Sequence, residues 1–389
     1  MFENNKWIYS TSLIVVAIVA LFFFSRQKEY SLTDEVTKEN KRDKSIYVMA
    51  AIMIGYIVFW AAIRNGYVDT VAYIQNYIRL DASQPLLAPW KQVDGDFLSK
   101  APLFDTFELL LKKMGFDWHF YLGSIAVVSG ACVVYGIGRF TDDVALSGFL
   151  FITTMNFLWL FNGARQMVVV CVMFAALRLI FEKKWIKYFI LVFIMYFVHK
   201  SCIIFVPLYF IANMKNWSYG IYTCILVTIV MTLAFPGQIT AMLDSSFEEY
   251  NVVEEFAKDD GANVLRFLVA MVPPVIAFIY RRELAAFNNR RVNVLTNISL
   301  INAGLYAVAT VTSGVYMGRI PVYTEIYNLI YLPFLLNRVV SKDVKNTLLI
   351  LCILFYLVFY GLQMAEISYY STDVFEGLNY LKEIGVSVA

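Results

Sequence analysis

Four ionisable residues stand where an apolar chain has least use for them. Arg64 ends the run KSIYVMAAIMIGYIVFWAAIR, Arg165 opens RQMVVVCVMFAALRLIF, and Arg319 sits in the short turn SGVYMGRIPVYTE. His199 closes a further run, WIKYFILVFIMYFVH. Between Arg165 and His199 lie two apolar arms joined by the basic turn Glu182-Lys183-Lys184, so a helical hairpin brings both residues to one face of a membrane. Guanidinium forks bind phosphate oxygens bidentately, and arginines converging on one face suit an anionic ligand. Ionisable groups at membrane depth are costly and usually face a cavity.

Each of these residues also has a plainer reading. Any one arginine serves equally as an interfacial residue whose stem lies along apolar surface. His199 fits a satisfied histidine between helices. Asp69, in RNGYVDTVAYIQNY, fits the N-cap of a helix over 70–79 as well as it fits a site carboxylate. Glu325, one to two turns inside a late helix, is either a partner for an arginine or a second carboxylate at the site. Arg178 and Arg266 read as helix-end anchors. What favours the functional reading is that Arg64, Asp69, Arg165, His199 and Arg319 all fall on one predicted face.

The elements that must position them are membrane helices. The chain is 60% hydrophobic and 16% charged, against about 45–50% and about 25% in soluble domains. Basic residues fall in short turns rather than one patch, which excludes nucleic acid as a partner. The five cysteines (Cys132, Cys171, Cys202, Cys224, Cys352) are scattered through apolar segments with no CxxC pair, as buried small hydrophobes are. With only His119 and His199 present, a histidine-rich metal site is excluded, and no metal or other cofactor is expected.

Apolar segments of about 17–22 residues mark membrane spans. They fall near 7–24, 45–63, 118–138, 144–162, 166–181, 218–235, 263–280, 293–313, 320–337 and 346–361. The first is too long and too aromatic for a signal peptide and reads as a retained anchor. The stretch 185–213 is too long for one span and too short for two. Each arm reaches only about 20 Å, against about 30 Å of hydrocarbon, so two short helices should meet below the outer surface at His199. The fold class expected is all-α: one polytopic membrane domain over 1–389, with about 12 transmembrane or re-entrant helices.

Alternate threading puts the basic loops 25–44, 182–187, 281–291 and 338–345 on one side, which should be the cytoplasm. The opposite face then receives both termini and the loops 64–117 and 236–262, each acidic. Within the first, Pro102–Met114 carries apolar residues at 103, 104, 107, 110, 111 and 114, the period of an amphipathic helix lying at the interface. The aromatics of the outer face (Tyr67, Tyr73, Tyr77, Trp90, Trp118, Tyr369, Tyr370) suit either sugar stacking or the ordinary interfacial belt, and the belt comes first for Trp118.

Four short motifs carry a family resemblance. They are Arg64 with Asp69-Thr70 and Tyr73, Asn162-Gly163-Ala164-Arg165-Gln166 opening a helix, Phe197-Val198-His199-Lys200-Ser201 closing the hairpin, and Arg319 before a late helix with Pro333. In these the chain resembles the EpsG family of Wzy-like membrane proteins, associated with bacterial exopolysaccharide and capsule synthesis. It departs in having Val198 where a Phe-His pair is commoner, and in a looser spacing between Arg64 and Asp69. The resemblance spans most of 1–365, and the hairpin from NxxRQ to His199 is its most specific element.

The resemblance implies a GT-C-like or Wzy-like fold in the bacterial plasma membrane, with the active site facing the periplasm or cell exterior. It implies a polymerase joining glycan repeat units carried on undecaprenyl diphosphate into exopolysaccharide, capsule or O-antigen, alongside flippase and chain-length regulator proteins. Arg165 and Arg319, with Arg64, would neutralise the diphosphate, and Tyr73, Gln166 and Glu325 would complete the substrate contacts. His199 or Asp69 would take the acceptor hydroxyl's proton, which suits metal-independent inverting transfer. Two other functions compete: a flippase for the lipid-linked glycan, and a membrane acyltransferase acting on a glycan. A flippase needs polar residues at both faces, and an acyltransferase a site open to the cytoplasm.

Overall fold

Apolar runs bounded by polar turns become helices in the computed structural model, which describes residues 7–23, 43–91, 101–234, 262–311, 317–366 and 370–372. The acidic residues expected over 236–261, the basic residues at 26–42, Asp94, Asp96 and Tyr369 lie outside the described residues. The described residues form no strand, only an isolated bridge between Gly66 and Ser371.

The first helices are α1 (Trp7–Phe23), α2 (Lys44–Ala62), α3 (Thr70–Arg79), α4 (Pro102–Lys113), α5 (Trp118–Phe140) and α6 (Val144–Thr153). The hairpin region follows as α7 (Ala164–Ala175), α8 (Arg178–Phe181), α9 (Trp185–Tyr196) and α10 (Phe205–Ala212). Then come α11 (Tyr219–Ala234), α12 (Val264–Ile279), α13 (Arg281–Ala286), α14 (Arg290–Thr310), α15 (Val322–Glu325), α16 (Asn328–Phe334) and α17 (Lys342–Glu366). Among them α2, α5, α14 and α17 are long and apolar enough to cross a membrane alone. Shorter apolar helices run in tandem: α7 with α8, and α15 with α16 and a π turn at Leu335–Val339. Side chains such as Ile350, Leu351, Leu354 and Val358 on α17 are more than half exposed, and Ile186, Ile190 and Phe193 on α9 likewise. Water does not tolerate apolar faces of that extent on a monomer, but lipid does. The protein is membrane-embedded.

Close packing of α5 sets the frame. A Cβ added at Gly130 would lie 2.1 Å from Val58 of α2, and one at Gly136 would lie 2.3 Å from the Phe174 ring of α7. Small residues let these backbones approach, as packed membrane helices require.

Contacts sort the helix ends into two groups. At one end Arg338 pairs with Asp142 at 2.9 Å, Arg290 donates to the Ile180 carbonyl at 2.9 Å, and Asn216 bonds Asn293. At the other, Tyr370 donates to the Trp60 carbonyl at 2.8 Å, Thr372 to Ile63, and Tyr9 packs on Phe157 and Phe161. The first group belongs to the face carrying the turns at 182–187, 281–291 and 338–345. The second group belongs to the face carrying Arg64, Arg165 and Arg319.

The helix over Pro102–Lys113 forms as its periodicity requires, but its apolar residues divide. Phe104, Leu109 and Leu111 are buried, whereas Leu110 and Met114 are exposed. It lies over the hairpin tip: the Leu103 amide donates to the Phe197 carbonyl at 3.0 Å. Trp90 donates to Thr106 at 2.8 Å while its ring packs on Phe197 at 5.1 Å.

Candidate functional site

The site begins at a backbone turn. Gly163 has φ +60, a left-handed conformation that favours glycine, and the Asn162 carboxamide accepts its amide at 2.9 Å. The chain then enters α7, whose first turn carries Arg165 and Gln166. Arg165 is half-buried, its guanidinium 5.8 Å from the Tyr73 ring centroid and 5.6 Å from that of Phe104. Two rings from α3 and α4 thus fix the planar cation, each contributing about 0.5–1 kcal/mol.

Gln166 reaches the other way. Its Nε2 donates to the Arg319 carbonyl at 2.7 Å, binding α7 to the 3₁₀ turn Met317–Arg319. The Arg319 guanidinium lies 4.0 Å from the Asp69 carboxylate, with side chains 22% and 11% exposed. Asp69 occupies the N-cap position of α3 yet makes no cap hydrogen bond. The helix thus starts where the sequence predicts, with Asp69 at its N-cap position, while the carboxylate is turned toward Arg319. Val68 before it has φ +37, unusual for a β-branched residue, so the Asp69 turn holds backbone strain.

His199 stands at the break in the hairpin. α9 ends at Tyr196, His199 is extended (φ −157, ψ 120), and a 3₁₀ segment at Lys200–Ile204 leads into α10. Its amide donates to the Met195 carbonyl at 3.0 Å, which terminates α9. The guanidiniums of Arg165 and Arg319 lie within electrostatic range of its imidazole. Arg165, Arg319, Asp69 and His199 are thus drawn to one place from four separate elements, with Tyr73 and Gln166 in contact with the arginines.

Two expected members stand elsewhere. Arg64 is fully buried: its Nε donates to Thr70 Oγ1 at 3.1 Å and another nitrogen to the Ala61 carbonyl. Thr70 in turn donates to the Phe161 carbonyl at 3.4 Å. Arg64 therefore staples the end of α2 to the start of α3 and to the segment before Arg165, and presents no open surface to a ligand. Glu325 is also buried, accepting from Tyr306 at 2.8 Å, with the Arg266 guanidinium acting on both. Arg266, expected as an anchor, also donates to Gln363 at 3.3 Å. On a helix, residues two apart point nearly oppositely. Tyr323 faces the hairpin tip, so Glu325 faces away from it, into this second polar cluster.

The aromatic expectation divides as well. Tyr67, Tyr77 and Tyr370 are buried, Tyr77 stacking on Tyr121 at 4.7 Å, so their faces are not free for sugars. Trp118 stacks on its neighbour His119. Tyr73 and Trp90 are half-buried beside the site.

Three contributors have little or no chemical signature in the sequence. Phe104 lies in the amphipathic stripe and looks like ordinary packing. Ser201 follows His199 closely, and its hydroxyl bonds that of Tyr323, 122 residues away. Only the tertiary fold brings Tyr323 there. All five cysteines are free thiols, and among the described residues no three His, Cys, Asp or Glu side chains gather to hold a metal ion.

No curated protein and no solved structure shows significant similarity to the chain. A family model does: that of the EpsG family matches residues 47–376, which include every residue of the cluster. The chain belongs to the EpsG family, a Wzy-like polymerase family, which points to a polysaccharide polymerase role in exopolysaccharide biosynthesis.

Proposed function

We propose that this protein polymerises oligosaccharide repeat units carried on undecaprenyl diphosphate, by inverting glycosyl transfer at the extracytoplasmic face of the bacterial plasma membrane. The observation that carries the reading is the meeting of Arg165, Arg319, Asp69 and His199 at the tip of a short hairpin. The growing glycan on its diphosphate lipid is donor, and one lipid-linked unit is acceptor. The acceptor hydroxyl oxygen forms a bond to the donor's anomeric carbon. The bond from that carbon to the diphosphate oxygen breaks, and the lipid diphosphate leaves with the electron pair. A single displacement inverts the anomeric centre.

Arg165 and Arg319 stabilise the charge developing on the leaving diphosphate, and their guanidiniums supply that positive charge without a metal ion. Their backbone and ring restraints hold them ready, so little reorganisation is needed at the moment of reaction. His199 takes the proton of the attacking hydroxyl. What favours His199 over Asp69 for this step is that the Asp69 carboxylate already faces the Arg319 guanidinium at 4.0 Å. Asp69 then orients Arg319. Arg64 acts indirectly, through the turn that carries Asp69. The glycan enters from the outside, and the sorting of Lys183, Lys184, Arg281, Arg282, Arg338 and Lys342 to the other end supports that orientation.

The test is the length of lipid-linked glycan in cells carrying Arg165→Ala or His199→Ala, at equal protein abundance. Single repeat units should accumulate on the outer leaflet. Full-length polymer from both variants would remove the hairpin from the chemistry. Units held on the cytoplasmic leaflet would make the protein a flippase instead.

A further inference from the structure

The proposed reaction asks that His199 and Arg319 keep a fixed separation, yet they belong to segments with no covalent closeness. His199 sits on a break with no continuous helix through it. Arg319 ends a single 3₁₀ turn. Neither element is stiff by itself. Arg319 is braced on one side by Gln166, which holds its carbonyl to α7 at 2.7 Å.

On the other side Asn302 holds the Pro321 carbonyl and Thr324, each at 3.0 Å, and a further side-chain bond ties this segment to the hairpin. Ser201, two residues after His199 and 8% exposed, shares a hydrogen bond with the hydroxyl of Tyr323, four residues after Arg319 and fully buried. The Arg319 guanidinium acts on that same phenol. The Tyr323 ring is held independently, edge-on to Phe205 at 5.4 Å. The hydroxyl can therefore be removed while the ring keeps its seat.

We infer that the Ser201–Tyr323 hydrogen bond is the positioning contact that sets His199 against Arg319, making Ser201 and Tyr323 positioning residues of the polymerisation site. The inference rests on the polymerase reading. Misplacing a reacting group by about 1 Å can cost about 100-fold. A contact that limits, rather than wholly fixes, the separation should be worth about tenfold. Binding of the lipid diphosphate depends on the two guanidiniums, which Gln166 and the rings of Tyr73 and Phe104 restrain without the Ser201–Tyr323 bond, so the loss should fall on turnover.

The experiment measures chain growth in membranes containing the full-length protein, with Tyr323→Phe, Ser201→Ala, both together, and Ser201→Thr. Purified protein in nanodiscs is titrated in parallel with undecaprenyl diphosphate as probe. Growth should fall about tenfold in each single variant and no further in the double, because one bond is lost in all three. Ser201→Thr keeps the hydroxyl and should recover most of the growth. Affinity for undecaprenyl diphosphate should stay within about twofold of the parent. Growth at the parent rate in both single variants overturns the inference. So does a multiplied loss in the double, or affinity falling together with growth. Arg165→Ala runs beside them: full-length polymer from that variant overturns the polymerase reading itself, and this inference with it.

Discussion

Replacing Asp69 by Asn separates two roles that one carboxylate could play. In the wild-type protein its oxygen lies 4.0 Å from the Arg319 guanidinium. At that separation and an effective dielectric of about 20, two unit charges attract by about 4 kcal/mol. Both side chains keep some contact with water, at 22% and 11% exposure, and burying them has already cost part of that attraction. About 1–2 kcal/mol remains to orient the guanidinium, which translates into about 5–30-fold in rate. Removing a general base costs more, about 100- to 10,000-fold. Chain growth should therefore fall modestly in Asp69→Asn and far more in His199→Ala. The assay is incorporation of labelled repeat units in membranes, normalised to protein abundance and followed from pH 5 to 9. A loss in Asp69→Asn as deep as that in His199→Ala would refute the assignment and make Asp69 the base.

Other expectations concern stability and are read by thermal unfolding in detergent. Gly163→Ala places a Cβ at φ +60 and should cost about 1–2 kcal/mol. The Arg338–Asp142 pair is asymmetric, with Asp142 almost fully buried and Arg338 28% exposed. Arg338→Ala strands a buried carboxylate and should cost about 3–5 kcal/mol, whereas Asp142→Asn should cost clearly less. Glu325→Ala removes the acceptor of the buried Tyr306 hydroxyl and should cost about 1–3 kcal/mol, the scale of leaving a buried donor unsatisfied.

Much of this architecture was legible because bilayer physics leaves few choices. The runs at 45–63, 118–138, 293–313 and 346–361 became single long helices. Those expected at 144–162, 166–181 and 320–337 broke into shorter pieces, the first where Met155 turns left-handed at φ +66. The stretch 185–213, too long for one span, broke at His199 as its length required. Arg165 falls in the first turn of its helix because Asn162-Gly163 supplies the turn before it. What could not be read is direction. Arg64 and Arg165 look alike in sequence, each at a helix end, yet one is sealed by Thr70 and Ala61 while the other lies between two rings. Glu325 follows Arg319 closely, but which side of a short helix faces the hairpin is settled by packing against α14, whose Tyr306 bonds the carboxylate. The Ser201–Tyr323 contact joins distant segments and has no local trace at all.

The bridge between Gly66 and Ser371 has a consequence for biogenesis. The amides of Asn65 and Gly66 donate to the Ser371 carbonyl, and Ser371 donates back to Gly66. The loop that carries Asp69 is thus completed by residues the ribosome delivers after α17. Helix α2 can enter the membrane early in translation, but the turn that follows it waits for residues beyond α17 before it is braced. A chain released short of Ser371 would lack that brace, so the turn before Asp69 gains its support only after α17 has been made.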